Sequence, residues 1–176
     1  PDATLADGFG GRVIAQDGTA RDGRTSHMQF HKSKSYRTFG PTGPWLVLPT
    51  VSELARWRDL ELVLAVDGKE RQRSLAGDMI FKPAETLAEL SRIMDLAPGD
   101  LIATGTPGGV ALHPPSPLVQ AIAGFLSPAR RFKAFLKSQL GRPQYLRDGQ
   151  VITASIRTPD GAINLGEQRN RVRAIA

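Results

Sequence analysis

The chain has 176 residues, with 23 Lys+Arg against 17 Asp+Glu for a formal net charge of +6, and 40% of its residues are hydrophobic. That length is one domain or part of one, and the composition excludes wholesale disorder. The absence of cysteine excludes a disulfide framework, thiolate zinc ligation and a Cys nucleophile. No apolar run approaches the ~18 residues of a membrane span. The start, Pro1, has no basic-then-apolar leader and enters what reads as mid-domain sequence. A cytoplasmic fragment without membrane association is therefore expected. The 18 glycines and 13 prolines favour a fold rich in strands and loops over a helical bundle. The basic excess is dispersed, its densest group being Arg130, Arg131, Lys133 and Lys137, and only 6% of residues are aromatic. Base-stacking platforms are thus poorly supplied, and a solvated surface or a funnel for an anionic substrate is expected instead of nucleic-acid binding.

In chain order, Arg12 to Ala15 is strand-like and ends at the turn pair Asp17-Gly18. A polar loop, Asp17 to Lys34, holds His27 and His31 at i, i+4, a metal-compatible spacing without a glutamate after His27. Trp45 to Leu48 reads as a short apolar strand between Pro44 and Pro49. Leu62 to Val66 and Lys69 to Leu75, joined by Asp67-Gly68, read as a hairpin. The spacing of Leu87, Leu90, Ile93 and Met94 predicts a helix opened by Pro83 and stopped by Pro98-Gly99. Leu101 to Ala103 is read as a buried strand entering Thr104-Gly105-Thr106-Pro107-Gly108-Gly109. Residues 116–140 read as a helical hairpin, each helix announced by Ser-Pro, at Ser116-Pro117 and Ser127-Pro128. Strands follow at Val151 to Arg157 and Ala162 to Leu165, with a turn at Asp160-Gly161.

Three loops carry chemistry. Asp17 and Arg21, four residues apart after a strand, are a hard oxygen donor for Mg²⁺ or Ca²⁺ and a guanidinium fork for a carboxylate, or else a solvated turn. Lys34, in a segment punctuated by Gly40-Pro41 and Gly43-Pro44, is an ammonium able to face an oxyanion, or a surface lysine. Thr104 to Val110 offers glycines for close backbone approach and a hydroxyl at Thr106, or a tight structural turn. It lacks the Gly-Lys-Ser/Thr of a phosphate-binding loop. Asp59-x-Glu61 resembles a paired-carboxylate ligand motif, but its place at the opening of the hairpin favours edge-strand charge.

Taken in this order, Val13 to Asp22, Lys34-Ser35-Tyr36-Arg37-Thr38-Phe39 with Gly43-Pro44-Trp45, Val66 to Gln72 with Asp78 to Phe81, Leu96 to Val110, and Tyr145 to Gln150 resemble the C-terminal part of the fumarylacetoacetate hydrolase family. The resemblance implies a mainly β, mixed β-sandwich roll with one inner helix, the whole of 1–176 being a C-terminal catalytic-domain fragment with a helical insert at 111–144. It implies a homodimer binding Mg²⁺, or Mn²⁺ or Ca²⁺, and acting on small oxo acids. The expected activity is metal-dependent hydrolysis of the C–C bond of a 2,4-dioxo acid. Decarboxylation or isomerisation of a related oxo acid in aromatic catabolism, and a metal-free scaffold, are the alternatives. Carried over by position, Asp17 is a metal ligand, Lys34 and Thr106 are catalytic, and Arg21 and Gly105 bind substrate. The family's Glu-x-Glu pair and loop histidine have no counterpart here. Arg37 stands where Asp is common, which favours a more anionic substrate. The insert is expected to act as a lid or a dimer contact.

Overall fold

The computed structural model describes residues 9–20, 30–111, 127–139 and 142–174. Its organising element is a four-stranded antiparallel sheet in the order β2-β1-β3-β4, made of β1 (Glu61–Val66), β2 (Lys69–Leu75), β3 (Val151–Arg157) and β4 (Asn164–Arg171). The β1–β2 hairpin follows from its turn. Asp67 and Gly68 both take positive φ, 49° and 76°, the backbone that a two-residue connection between twisted strands requires. The Asp67 carboxylate then accepts the Val151 N–H and the Gln150 side-chain amide, each at 2.9 Å. Those two bonds, the backbone one first, hold its pKa below the ordinary value and tie the turn to the start of β3.

Alternation along the strands sorts the two faces. Leu64 and Val66 of β1 and Ala154 and Ile156 of β3 turn to one side. There Ile14, Leu60, Ala154, Ile163 and Leu165 form the core, with Val47, Leu64, Ala76 and Ile156 packed against it. On the other side Val63, Ala65, Thr153, Ser155 and Glu167 line a shallow recess of about 120 Å³, below the few hundred Å³ of a substrate pocket.

The helices are short and peripheral. α1 is Phe30–Lys34 and α2 is Val51–Ala55. The start of α2 is fixed by a reciprocal cap, in which Thr50 Oγ1 accepts the Glu53 N–H and the Glu53 carboxylate accepts the Thr50 N–H. A 3₁₀ turn, Arg56–Asp59, leads into β1. α3, Pro83–Ile93, opens on proline as its sequence predicts. Its expected apolar face is only partly used: Leu87 and Leu90 are half-buried, but Ile93 is 72% exposed and Met94 lies beyond the helix end. α4, Pro128–Gln139, is the second helix of the expected hairpin, with Arg130, Lys133 and Lys137 exposed and Gln139 buried. The first helix of that hairpin falls outside the described residues.

Four expected strands differ. Arg12 to Ala15 and Trp45 to Leu48 form no ladder, only isolated bridges, Arg12 to Val47 and Ala15 to Thr42. Leu46 and Leu48 stay exposed, because prolines at 41, 44 and 49 interrupt the donors that a ladder needs. Leu101 to Ala103 is neither a strand nor buried, and Leu101 is 56% exposed. Its apolar character is real, but nothing in the described structure pairs with it. The last strand starts at Asn164 and continues to Arg171, past the expected end at Leu165. Pairing with β3 compensates its polar composition.

Candidate functional site

The segment leading to Asp17 is anchored through its core residue. Ile14 is 2% exposed, and its carbonyl accepts the Gly43 N–H at 3.0 Å. From there the chain runs beside the loop that follows α1: Gln16 N–H donates to Pro41 O at 3.0 Å, Gly18 N–H to Phe39 O at 2.8 Å, and Ala20 N–H to Ser33 O at 3.0 Å. This alignment places position 17 opposite the end of α1, and the Lys34 ammonium donates to the Asp17 carboxylate. Both side chains remain accessible, at 30% for Lys34 and 49% for Asp17. Lys34 is the last residue of a short helix instead of a loop residue, next to the fully buried Ser33.

Thr106 and Gly105 lie on a different support. Their loop rests on β2, where the Gln72 amide donates to Pro107 O at 3.0 Å and Gly108 O at 3.1 Å. Gly109 has φ +90°, and a Cβ there would overlap the Arg71 carbonyl, so only glycine allows this close approach. β2 is one edge of the sheet. The structure thus brings Asp17 and Lys34 into contact and joins the loop of Gly105 and Thr106 to β2 through Pro107 and Gly108. Arg21 and His27 lie outside the described residues.

The remaining candidates resolve into surface electrostatics. Asp59 pairs with Arg56 at 3.3 Å, and Glu61 with Arg73 at 2.5 Å. Both carboxylates are thus engaged in surface ion pairs, but Glu61 opens β1, an inner strand paired on both sides, so the charge is not on an edge strand as expected. Among the described residues no group of three His, Asp or Glu side chains could hold a metal ion. Asp17 by itself does not fit Mg²⁺, which takes near-octahedral oxygen coordination. None of the described helices is long and apolar enough to cross a membrane.

The residues that sequence reasoning missed are the glutamines supporting these loops. Gln168 of β4 is 7% exposed, and its amide reaches the carbonyls of Ile14, Pro41 and Gly43. The burial of that amide depends on the pairing of β4 with β3, so no local pattern in the sequence marked it.

The family model for the fumarylacetoacetate hydrolase C-terminal domain matches residues 6–173, and the chain belongs to that family. A Burkholderia multivorans protein, whose name assigns it provisionally to the hydrolases, is 33% identical over 174 residues, covering 98% of this chain and 50% of its own length. Fumarylacetoacetate hydrolase from Exiguobacterium antarcticum superposes with a TM-score of 0.70 at 29% identity, covering 99% of this chain and 50% of that one. A structure named 5-carboxymethyl-2-hydroxymuconate delta-isomerase, from Mycobacterium smegmatis, superposes with a TM-score of 0.68 at 26% identity, covering 98% of this chain and 52% of that one. The chain thus spans about half the length of the curated relatives it matches. The mixed α+β architecture around a four-stranded antiparallel sheet agrees with these structures.

Proposed function

We propose that this chain is the C-terminal part of a hydrolase that cleaves the C–C bond of a 2,4-dioxo acid of the acylpyruvate or fumarylacetoacetate kind. The observation that carries this reading is the accessible Asp17–Lys34 pair on a support shared by two loops, in a chain whose family includes such a hydrolase. Hydrolysis adds water at the 4-oxo carbon. The C3–C4 bond then breaks, its electron pair enters the 2-oxo group as an enolate, and C3 takes up a proton.

Lys34 supplies positive charge for that oxyanion. Its ammonium has three N–H donors, of which Asp17 engages one and two remain for substrate oxygens. Thr106 orients the substrate or the attacking water, Gly105 admits the substrate close to the backbone, and Arg21 binds a carboxylate. Asp17 would supply one oxygen to a divalent cation, Mg²⁺ with Mn²⁺ or Ca²⁺ as alternatives, if further donors from beyond the described residues completed its coordination, and the cation would then stabilise the developing enolate charge. The enzyme acts as a homodimer in the cytoplasm. Exposed Leu48, Ile80, Phe81 and Ile93 support a covering chain. Isomerisation is the second reading, favoured by neighbours named as isomerases.

The test is turnover of 2,4-dioxo acids and of oxaloacetate, with Mg²⁺ or Mn²⁺, by this chain and by a longer polypeptide containing it. Loss of the diketone enol absorbance with release of two acids is expected, reduced on the order of 10²–10³-fold by Lys34→Met. Absence of turnover in both polypeptides, or turnover indifferent to Lys34→Met and Asp17→Ala, would refute the reading.

A further inference from the structure

We propose that Gln168 and Gln72 are positioning residues that set the two halves of the candidate site on a common face of the sheet. The proposal rests on the assignment of Asp17, Lys34 and Thr106 to that site.

The pairing register places Gln72 opposite Leu64, Leu64 opposite Ala154, and Ala154 opposite Gln168. Residues directly opposite in a ladder point to the same face, so these four form one row across all four strands. Its middle is apolar and belongs to the core, and each end is a glutamine. At one end the Gln72 amide donates to Pro107 O and Gly108 O at 3.0 and 3.1 Å, which uses both of its N–H groups on the loop that carries Gly105 and Thr106.

At the other end the Gln168 amide lies 2.9 Å from Ile14 O, 3.2 Å from Pro41 O and 2.7 Å from Gly43 O. Two N–H groups facing three carbonyls require one shared bond. Ile14 O and Pro41 O already accept the backbone N–H groups of Gly43 and Gln16. Gln168 is their second donor, and it joins the strand of chain three residues before Asp17 to the loop that follows Lys34.

The choice of residue has a physical reason. Glutamate would set a carboxylate against three carbonyls. Asparagine retains the donor but is one methylene too short to reach all three. Methionine would fill the same volume and hold neither loop. The Gln168 Oε1 atom has no protein partner among the described residues, so the side chain is oriented by its N–H bonds alone.

The experiment uses the isotopically labelled chain and reads amide exchange together with the side-chain ammonium signal of Lys34. In Gln168→Met, the amides of Gln16, Gly18 and Gly43 should exchange on the order of tenfold faster. The Lys34 ammonium signal should move to that of a freely solvated lysine, while the ladder amides of β1 and β3 keep their protection. Gln168→Asn, the milder variant, should show the same pattern with smaller changes. Gln72→Met should shift the amide signals of Gly105, Thr106 and Gly108 and leave Gln16, Gly18 and Gly43 as they were.

Unchanged protection and an unmoved Lys34 signal in Gln168→Met would overturn the proposal. So would loss of loop and ladder protection together, or failure of both Gln168 variants to fold, because either makes Gln168 a general stabiliser of the sheet. These readouts do not use turnover. Absence of turnover in both this chain and the longer polypeptide would count against the oxo-acid reading alone, and an unresponsive Gln168→Met against the positioning role alone.

Discussion

Replacing Ile14 by alanine tests whether the segment carrying Asp17 is part of the core or lies on its surface. The side chain is 2% exposed and packs in the cluster of Leu60, Ala154, Ile163 and Leu165. Truncation removes three carbons, about 2.4 kcal/mol at roughly 0.8 kcal/mol per buried methylene. The cavity left behind brings the expected loss to about 3–4 kcal/mol, within the range seen for buried aliphatic residues. For a chain of this size each kcal/mol lowers Tm by roughly 2–4 °C, so a fall of about 10 °C is expected. Ile14→Val should cost only about 1 kcal/mol. Leu48→Ala, at a position 70% exposed, should stay within about 0.5 kcal/mol. Thermal and urea unfolding of the three variants decide the matter. An Ile14→Ala loss below about 1 kcal/mol, or one equal to that of Leu48→Ala, would show that the segment is not packed as described.

Three further outcomes are expected. Gly109→Ala combines a positive φ with overlap on the Arg71 carbonyl. It should destabilise by about 2 kcal/mol or more in urea unfolding, from backbone strain and the clash together. Thr50→Ala removes one partner of the reciprocal cap on α2 and should cost about 1 kcal/mol by the same assay. The Asp160 carboxyl is held at about 2 by the Thr158 hydroxyl first, then by Arg56 and the Ala162 N–H. Because its pKa is depressed from the ordinary 3.8, its contribution is present above that value and fades as pH falls towards 2. Asp160→Asn should flatten the acid limb of a stability–pH curve, and an unchanged limb would remove Asp160 from the account.

Local chemistry was legible wherever a short stretch carries its own instruction. The β1–β2 hairpin follows from Asp67-Gly68, and α3 from Pro83. The second insert helix follows from Ser127-Pro128, and the charged opening of β1 from Asp59 and Glu61. The family was legible from five blocks in register, and in two of them a close backbone approach restricts residue type, at Gly18 against Phe39 and at Gly109 against Arg71. Leu101 to Ala103 and Trp45 to Leu48 misled for a common reason. An apolar run reports that something is to be covered, and it reads as a strand whether or not a neighbouring strand is present to pair with it. β4 was underread for the converse reason, since Glu167, Gln168, Arg169 and Asn170 look like surface until β3 supplies their ladder.

The sequence by itself determined the turn positions, the helix starts, the family and the residue types able to do the chemistry, because each depends on near neighbours along the chain. Only the tertiary structure decided that Lys34 meets Asp17 across 17 positions. It also decided that the loop of Thr106 rests on β2 and that Gln72 and Gln168 close the same row. Those arrangements depend on strand order and register, which arise from pairing between distant segments and leave no local pattern to read.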